Sequence, residues 1–296
     1  MTSLRSTAAP AAAALLFALS PLAAAADGHQ DLPSRVLNGL EGPSAGRMIS
    51  NVPIANSPLI DEAILSLPGY NLRTRSWVIS AEGGTVPIHS HADRPAIVYT
   101  LTGEIFEYRS DAEGRIAHGA GSLSLEEGAI THWWLNEGTE DVRLIAFDVF
   151  NAGADDMLMR AAPEAQTLDM PDATGAQLDL LGLVDIGGHY NGEQGAGLSL
   201  SAYRAVIEPG GVLPSFVAAG EPLQVWVWQG EVTEHRSDAD TPVVIAAEEG
   251  GALVGGATAY WENTGDSPAE LFFGVVEPLS ETEGVPQVAV EDHSTE

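Results

Sequence analysis

The sequence predicts an all-β protein made of two similar halves. Residues 83–138 align without a gap with residues 210–265, at a constant offset of 127. Runs such as AIVYTLTG and LQVWVWQG are rich in Val, Ile, Tyr, Trp and Thr, and Gly, Pro, Asp and Asn separate them. Short strands between turn residues are typical of an all-β sandwich or barrel. Because the pattern occurs twice, we expect two such units in tandem.

The remaining local signals agree with this fold class. GEIFEYRSDA at 103–112 aligns with GEVTEHRSDA at 230–239, and these runs lead into the turns DAEG and DADT, which suit hairpins. Helix is scarce in the pattern. IDEAILSL at 60–67 has helical spacing and is either one short helix or a loop that crosses the barrel.

The N-terminal segment is interpreted as a secretory signal peptide. Arg5 is the only charged residue before Asp27, and AAPAAAALLFALSPLAAAA lies between them. A short basic start, an apolar stretch and small residues before the cleavage point are typical of such signals, and we expect cleavage near Ala26. The alternative is a membrane anchor, which Pro10 and Pro21 disfavour because they interrupt the apolar run. We therefore expect a periplasmic or secreted protein.

The chain is strongly acidic and has no cysteine. It has 42 Asp and Glu against 12 basic residues, all of them arginine, and a formal net charge of −30. Such a field repels nucleic acid and anionic membranes, so we expect neither as a partner. Without cysteine, no disulfide stabilises the fold in an oxidising compartment. The acids are spread along the chain, which favours a salt-tolerant surface over a cation-collecting one.

Three histidines form the candidate metal site. His89 and His91 in HSHADRPAIVYTLTG are separated by one residue, and on a strand this spacing directs both imidazoles to the same face. His132 in AITHWWLN is far enough along the chain to lie on another strand of the same barrel, where inward-facing residues converge. The alternative is that all three are hydrogen-bonded polar residues in a barrel that has lost its metal. The other histidines, His118 among them, are interpreted as solvated side chains.

These residues resemble the two motifs of the cupin superfamily. In GGTVPIHSHADRPAIVYTLTG, the residues Gly83, His89, His91 and Gly103 fit the spacing of the first motif, but Ala96 stands where that motif has a glutamate. EEGAITHWWLN resembles the second motif through His132 and the asparagine four residues later, although the usual proline and glycine are out of register. The resemblance covers both repeats, so the chain is similar to a bicupin.

The resemblance implies two tandem jelly-roll (double-stranded β-helix) cupin barrels. His89, His91 and His132 fall on the family's metal ligands, and Ala96 implies that the fourth ligand is lost. In the second copy all four ligand positions hold apolar residues, which implies a degenerate barrel without a metal. Those positions are Phe216, Ala218, Leu223 and Ala259.

Domain boundaries follow from the repeat and from the composition between the copies. RAAPEAQTLDMPDATGA at 160–176 is polar and carries two prolines, which favours a linker. The predicted parts are a signal peptide (1–26), an N-terminal extension (27–59), a metal-binding cupin domain (60–159), the linker (160–176), a degenerate cupin domain (177–278) and an acidic tail (279–296).

Strand alternation predicts a mostly apolar pocket around the histidines, suited to a small aromatic or aliphatic ligand. Val98, Thr100 and Trp134 are its expected lining residues. Trp134 recurs as Trp261 in the second copy, which favours a structural role for it. Arg94 is interpreted either as a cation that faces an acidic substrate or as a surface arginine.

The predicted function is metal chemistry on a small organic molecule. Three neutral imidazoles leave an open coordination position, as catalytic sites do, and imidazole suits several divalent metals. The resemblance favours iron slightly, because cupins without the glutamate include three-histidine iron dioxygenases; zinc, manganese, nickel and copper remain open. The alternative is a non-catalytic cupin that binds a metal or a small ligand. We expect a small-molecule partner and leave self-association open.

The signal-peptide interpretation predicts where the exported chain begins. Intact-mass analysis of protein recovered from the periplasm or the medium should place the first residue within a residue or two of Asp27, since small residues precede this point. Exported protein that retains Arg5 would contradict the interpretation.

Overall fold

The structure is a computed structural model that describes residues 32–58, 69–91, 94–128, 130–151, 175–186, 198–215 and 221–278. Every regular element in these ranges is a β-strand, which confirms the all-β prediction. No helix within them is long and apolar enough to cross a membrane. The signal peptide, the segment at 60–67, most of the linker, Phe216, Ala218 and the acidic tail lie outside the described residues.

The strands follow the predicted alternation of short apolar runs and turns. In chain order they are β1 (Ser34–Leu37), β2 (Leu40–Pro43), β3 (Arg47–Pro58), β4 (Tyr70–Ile79), β5 (Gly84–Ser90), β6 (Ala96–Thr102), β7 (Glu104–Arg109), β8 (Arg115–Gly119), β9 (Leu123–Glu126), β10 (Thr131–Asn136), β11 (Val142–Asn151), β12 (Ala176–Asp185), β13 (Leu198–Leu213), β14 (Leu223–Gln229), β15 (Glu231–Arg236), β16 (Val243–Ala246), β17 (Gly250–Leu253), β18 (Ala259–Glu262) and β19 (Ala269–Pro278).

Two sheets form the first half. One has the order β12-β4-β11-β6-β9 and the other β5-β10-β7-β8. All of these pairs are antiparallel, so residues directly opposite each other share a face. The faces that carry Trp77, Val98 and Trp134 together form an apolar cluster. This cluster marks the interior of the first barrel.

The second half repeats this arrangement in one larger sheet. Its order is β16-β15-β18-β13-β19-β14-β17, and β3 pairs with β13 beside this path. The interior is filled by apolar side chains, among them Leu223, Ala259 and Trp261. The β1–β2 hairpin lies against this barrel, where the Leu37 carbonyl accepts a hydrogen bond from Thr258 Oγ1 at 3.2 Å. The two halves fit the predicted pair of jelly-roll barrels.

Strands are exchanged between the halves. β3 precedes the first repeat in the chain but pairs with β13 of the second half, while β12 follows the first repeat and pairs with β4 of the first half. The segment before the first repeat thus supplies a strand to the second half, and the segment before the second repeat supplies a strand to the first half. The domain boundaries at 59 and 177 remain a sequence prediction.

A third apolar cluster joins the outer faces of the two halves. It combines Ile97, Ile145 and Phe147 with Trp226 and Phe272. Phe147 packs on Gly274, and a Cβ built at Gly274 would overlap its ring. The repeat offset makes Phe147 and Gly274 equivalent positions, so a large residue in one copy meets the smallest residue in the other. This pair lets the two sheets approach closely.

Gly274→Ala should therefore destabilise the protein. The added methyl group collides with Phe147 in a packed interface, and such overpacking costs about 1–3 kcal/mol in the free energy of unfolding. Urea denaturation of both proteins measures the difference. Gly119→Ala is the matched control, because open space surrounds its Cβ position. Equal effects of the two substitutions would contradict this account of the interface.

Candidate metal centre

Two neighbouring strands bring the predicted histidines together. His89 lies on β5, and His91 follows the end of this strand. His132 lies on β10, directly opposite His89 in the antiparallel register. Because His89 and His91 are two positions apart, both rings face the inside of the barrel. The centroids of the rings are 4.4 Å apart for His89 and His132, 4.9 Å for His89 and His91, and 5.0 Å for His91 and His132.

A carboxylate that the sequence analysis missed completes the cluster. Glu126, the last residue of β9, is buried with the three histidines, and the four side chains offer ligand atoms that all lie within 4.8 Å of one another. Its Oε2 is 3.0 Å from His91 Nε2, and its Oε1 is 3.7 Å from His132 Nε2. Among the described residues, this is the one cluster of side chains suited to hold a metal ion.

Ala96 implied that the fourth metal ligand is lost, but Glu126 supplies a carboxylate at this place. In the antiparallel register of β6 and β9, Ala96 is directly opposite Glu126. The acid thus enters from the neighbouring strand, beside the position that carries it in the cupin motif. One signal was available in the sequence: Glu126 aligns with Leu253, so this acid differs between the copies as the histidines do.

Hydrogen bonds fix which nitrogen of each ring carries the proton. His89 Nδ1 donates to the Pro87 carbonyl at 2.8 Å, and His91 Nδ1 donates to the Arg94 carbonyl at 2.7 Å. A carbonyl oxygen only accepts, so both Nδ1 atoms must be protonated. His132 Nδ1 is 2.5 Å from the Glu107 carboxylate. The three Nε2 atoms are consequently the unprotonated ones in the neutral rings.

Burial disfavours protonation of His89 and His91. Desolvation, with the nearby His132 as a second cause, lowers the pKa of His89 well below its ordinary value. Desolvation also lowers the pKa of His91, although Glu126 opposes this effect. Burial alone would raise the pKa of Glu126, but His132 and His91 lower it, so the carboxylate is ionised. His89 and His91 therefore present neutral nitrogen donors beside one anionic oxygen.

The lone pairs of these nitrogens face one another. His132 Nε2 and His89 Nε2 are 3.0 Å apart, and the tautomers place no proton between them. His91 Nε2 is buried without a hydrogen-bond partner. Unpaired buried acceptors at such distances are unfavourable unless a cation lies among them. Two or more imidazoles with a carboxylate form a ligand set that divalent transition metals accept.

Glu107 holds the third histidine and was also missed by the sequence analysis. Its buried carboxylate accepts hydrogen bonds from His132, from His118 Nε2 at 2.8 Å and from Ser124 Oγ at 3.2 Å. Burial would raise the pKa of Glu107, but the hydrogen bonds from His118 and His132 lower it to about 2. The interpretation of His118 as a solvated side chain is wrong, since it is buried against Glu107 and Trp134.

The predicted pocket residues lie in the same barrel. Val98 and Trp134 belong to its interior apolar cluster, and Thr100 is buried two residues after Val98 on β6. The Trp134 ring is 6.0 Å from that of His132. Arg94 is not a surface residue, because its side chain is only 11% exposed and its backbone carbonyl holds His91.

The second copy has apolar side chains at the corresponding positions. Leu223 and Leu253 face each other across β14 and β17, as Ala96 and Glu126 do in the first copy. Ala259 replaces His132, and these three residues are packed in the apolar interior of the second half. Phe216 and Ala218, which align with His89 and His91, lie outside the described residues.

No protein-family model matches the sequence, and a search of curated proteins gives no match. Solved structures do match the fold. An oxalate decarboxylase of Bacillus subtilis, studied for its Mn(II) centres, has a TM-score of 0.51 at 12% identity, covering 84% of this chain and 76% of its own. The formate complex of the Lactobacillus farciminis oxalate decarboxylase has the same TM-score and identity, covering 84% and 85%. At this identity the likeness concerns the fold alone, and it confirms the predicted all-β, jelly-roll fold class.

Proposed function

We propose that the first barrel binds one divalent transition metal ion through His89, His91, His132 and Glu126. The observation that carries this proposal is the convergence of three unprotonated Nε2 atoms on one ionised carboxylate in a buried site. A proton would satisfy at most one or two of these atoms, whereas a metal ion satisfies all four. The second barrel is proposed to be degenerate, since apolar residues replace its ligands.

The ligand set limits which metal ions can bind but does not identify a single one. Imidazole suits iron, zinc, copper and nickel, and a carboxylate extends the range to manganese. The B. subtilis oxalate decarboxylase, which shares the fold, has Mn(II) centres. Glu126 removes the reason to prefer iron, because that preference came from cupins without an acidic ligand. A metal that accepts five or six ligands retains positions for an external ligand beside these four.

The proposed activity is metal-dependent oxidation of a small organic substrate outside the cytoplasm. When bound, the metal supplies Lewis acidity and a coordination position for the substrate. Glu107 fixes the tautomer and orientation of His132 through the hydrogen bond to Nδ1. Val98 and Trp134 give the interior of the barrel an apolar lining. The proposal that the protein is exported is based only on the sequence of its N-terminal segment.

The metal proposal predicts a stoichiometry of one ion per chain. Protein purified from its native compartment should contain one equivalent of a transition metal by inductively coupled plasma mass spectrometry, and His89→Ala or His132→Ala should abolish it because each removes a buried donor. His235→Ala, in the second copy, is the matched control and should retain the metal. The assignment would be contradicted by two ions per chain, or by an ion that remains bound when both His89 and His132 are replaced.

Oxygen consumption separates catalysis from binding. The metal-loaded protein is incubated with catechol, thiol and diketone compounds in an oxygen-electrode cell, with His132→Ala as the blank. Turnover that disappears in the blank supports the oxidative function. Binding of a compound without oxygen uptake supports the non-catalytic alternative.

Glu107 gives a sharper test, because the second copy supplies its counterpart. Glu107→Gln removes the anionic partner of His132, and loss of such a partner typically weakens metal affinity by about 10–100-fold. Glu234→Gln alters the equivalent buried acid, which accepts a hydrogen bond from Trp261 Nε1 at 3.1 Å instead of from a metal ligand. Competition with a chelating dye measures both affinities. If the two variants lose affinity equally, Glu107 acts through the fold and not through His132.

A further inference from the structure

A row of charged side chains crosses the sheet from the metal site to β4. Glu126 on β9 is opposite Ala96 on β6, Ala96 is opposite Asp148 on β11, and Asp148 is opposite Arg73 on β4. Residues paired in this way share one face of an antiparallel sheet. Arg75 lies two positions from Arg73 and therefore faces the same side. The arginines thus line the barrel interior that contains the histidines.

One carboxylate of this row, that of Asp148, lies close to three guanidinium groups. Asp148 accepts hydrogen bonds from Arg73 Nε at 2.9 Å and Nη2 at 2.6 Å, and from Arg75 Nη2 at 2.9 Å. Arg94 Nε is 3.8 Å away. Burial would raise the pKa of Asp148, but Arg75 and Arg73 lower it to about 2, so this residue carries a full negative charge.

Two of the guanidinium groups retain an unused donor. Arg75 Nε and Arg94 Nε are buried without a hydrogen-bond partner, while both side chains are about nine-tenths buried. Leaving a buried charged donor unpaired costs free energy, and natural interiors rarely do so without a ligand or a water. Arg75 faces the same side as this row, and Arg94 lies two residues before Ala96, which belongs to the row.

The charges of this interior favour an anion once a metal is present. The acids that face it are Glu107, Glu126 and Asp148, and their three charges balance those of Arg73, Arg75 and Arg94. The neighbouring Arg109 pairs with Asp111 and is also 3.4 Å from Glu107, so these two add no net charge. A divalent ion would add two positive charges that no described side chain offsets. A buried site with such an excess is stabilised by an anionic ligand.

The repeat offers an internal comparison. The pair Asp148–Arg73 of the first half corresponds to the pair Val275–Ser201 of the second half. Likewise, the pair Ala146–Arg75 corresponds to the pair Phe273–Tyr203. Glu221 aligns with Arg94. By contrast, Glu107 aligns with Glu234, so a buried acid is present at this position in both copies. The arginines are therefore absent from the copy that lacks the histidines and the metal-site acid.

We propose that the first barrel binds a small carboxylate, with the carboxylate oxygens on Arg75 Nε and Arg94 Nε and another polar atom of the ligand toward the histidine cluster. This inference deepens the proposed function and rests on it. A carboxylate has two oxygens for the two single N–H donors, and guanidinium groups bind it with charge-assisted hydrogen bonds. A phosphate carries more charge and more oxygens than these donors satisfy.

Calorimetric titration of the metal-loaded protein tests the inference. Malonate and succinate should bind, while malonamide, which has the same skeleton without the charge, and inorganic phosphate should bind at least tenfold more weakly. Arg75→Gln and Arg94→Gln should each weaken malonate binding by about 10–100-fold, since each removes a charge-assisted hydrogen bond. Arg204→Gln is the matched control, because this arginine pairs with Glu270 on the second half.

Metal content is measured on every variant, and this separates the two proposals. Arg94 donates no hydrogen bond to Asp148, so its variant reports on the inference even if Arg75→Gln fails to fold. Metal-loaded protein that ignores malonate, prefers phosphate, binds malonamide equally or is unaffected by Arg94→Gln overturns the carboxylate site and leaves the metal proposal standing. Protein that takes up neither metal nor malonate overturns both.

Discussion

The register of the five-stranded sheet is the constraint on which the rest of the structure depends. In an antiparallel sheet, a shift by one residue transfers every side chain to the other face. The register places Glu126, Asp148 and Arg73 inside the first barrel and, by the same alternation, Ile97 and Phe147 outside it, against the second half. The chemistry of the site and the packing of the two halves are thus fixed together. A shift of the register by one residue would therefore disrupt both the site and the packing between the halves.

The parts of this arrangement that depend on local pattern could be predicted from the sequence. The all-β class followed from turn spacing and the repeat, and the three histidines followed from the HxH spacing and the cupin motifs. Glu126 could not be placed in this way, because its position opposite Ala96 depends on how β6 and β9 pair. The same holds for Asp148 and Arg73, which are far apart in the chain and meet only through the register of β4 and β11.

The two copies separate what the fold requires from what the site requires. Asn136 and Asn263 each donate to two backbone carbonyls near the ends of their strands, so this residue holds the barrel in both copies. The Arg109–Asp111 pair likewise recurs as Arg236–Asp238. The histidine cluster, Glu126, Asp148 and the interior arginines, by contrast, occur in the first copy only. A barrel of this kind evidently folds with either a polar or an apolar interior, provided that the side chains satisfy one another.

The exchange of β3 and β12 has a consequence for how the chain acquires its structure. β3 is complete early in synthesis, yet its partner β13 follows more than a hundred residues later. Pairings of such long sequence separation are slow to form, because the intervening chain must be closed into a loop first. Until β13 has been synthesised, β3 lacks its partner, and an unpaired strand can pair with another chain and aggregate. A chain shortened after the first repeat would keep this exposed strand permanently and would also leave β4 without β12. The exchange therefore couples the folding of the two repeats, because a fragment with one barrel alone would lack the strand that the segment before the other repeat supplies.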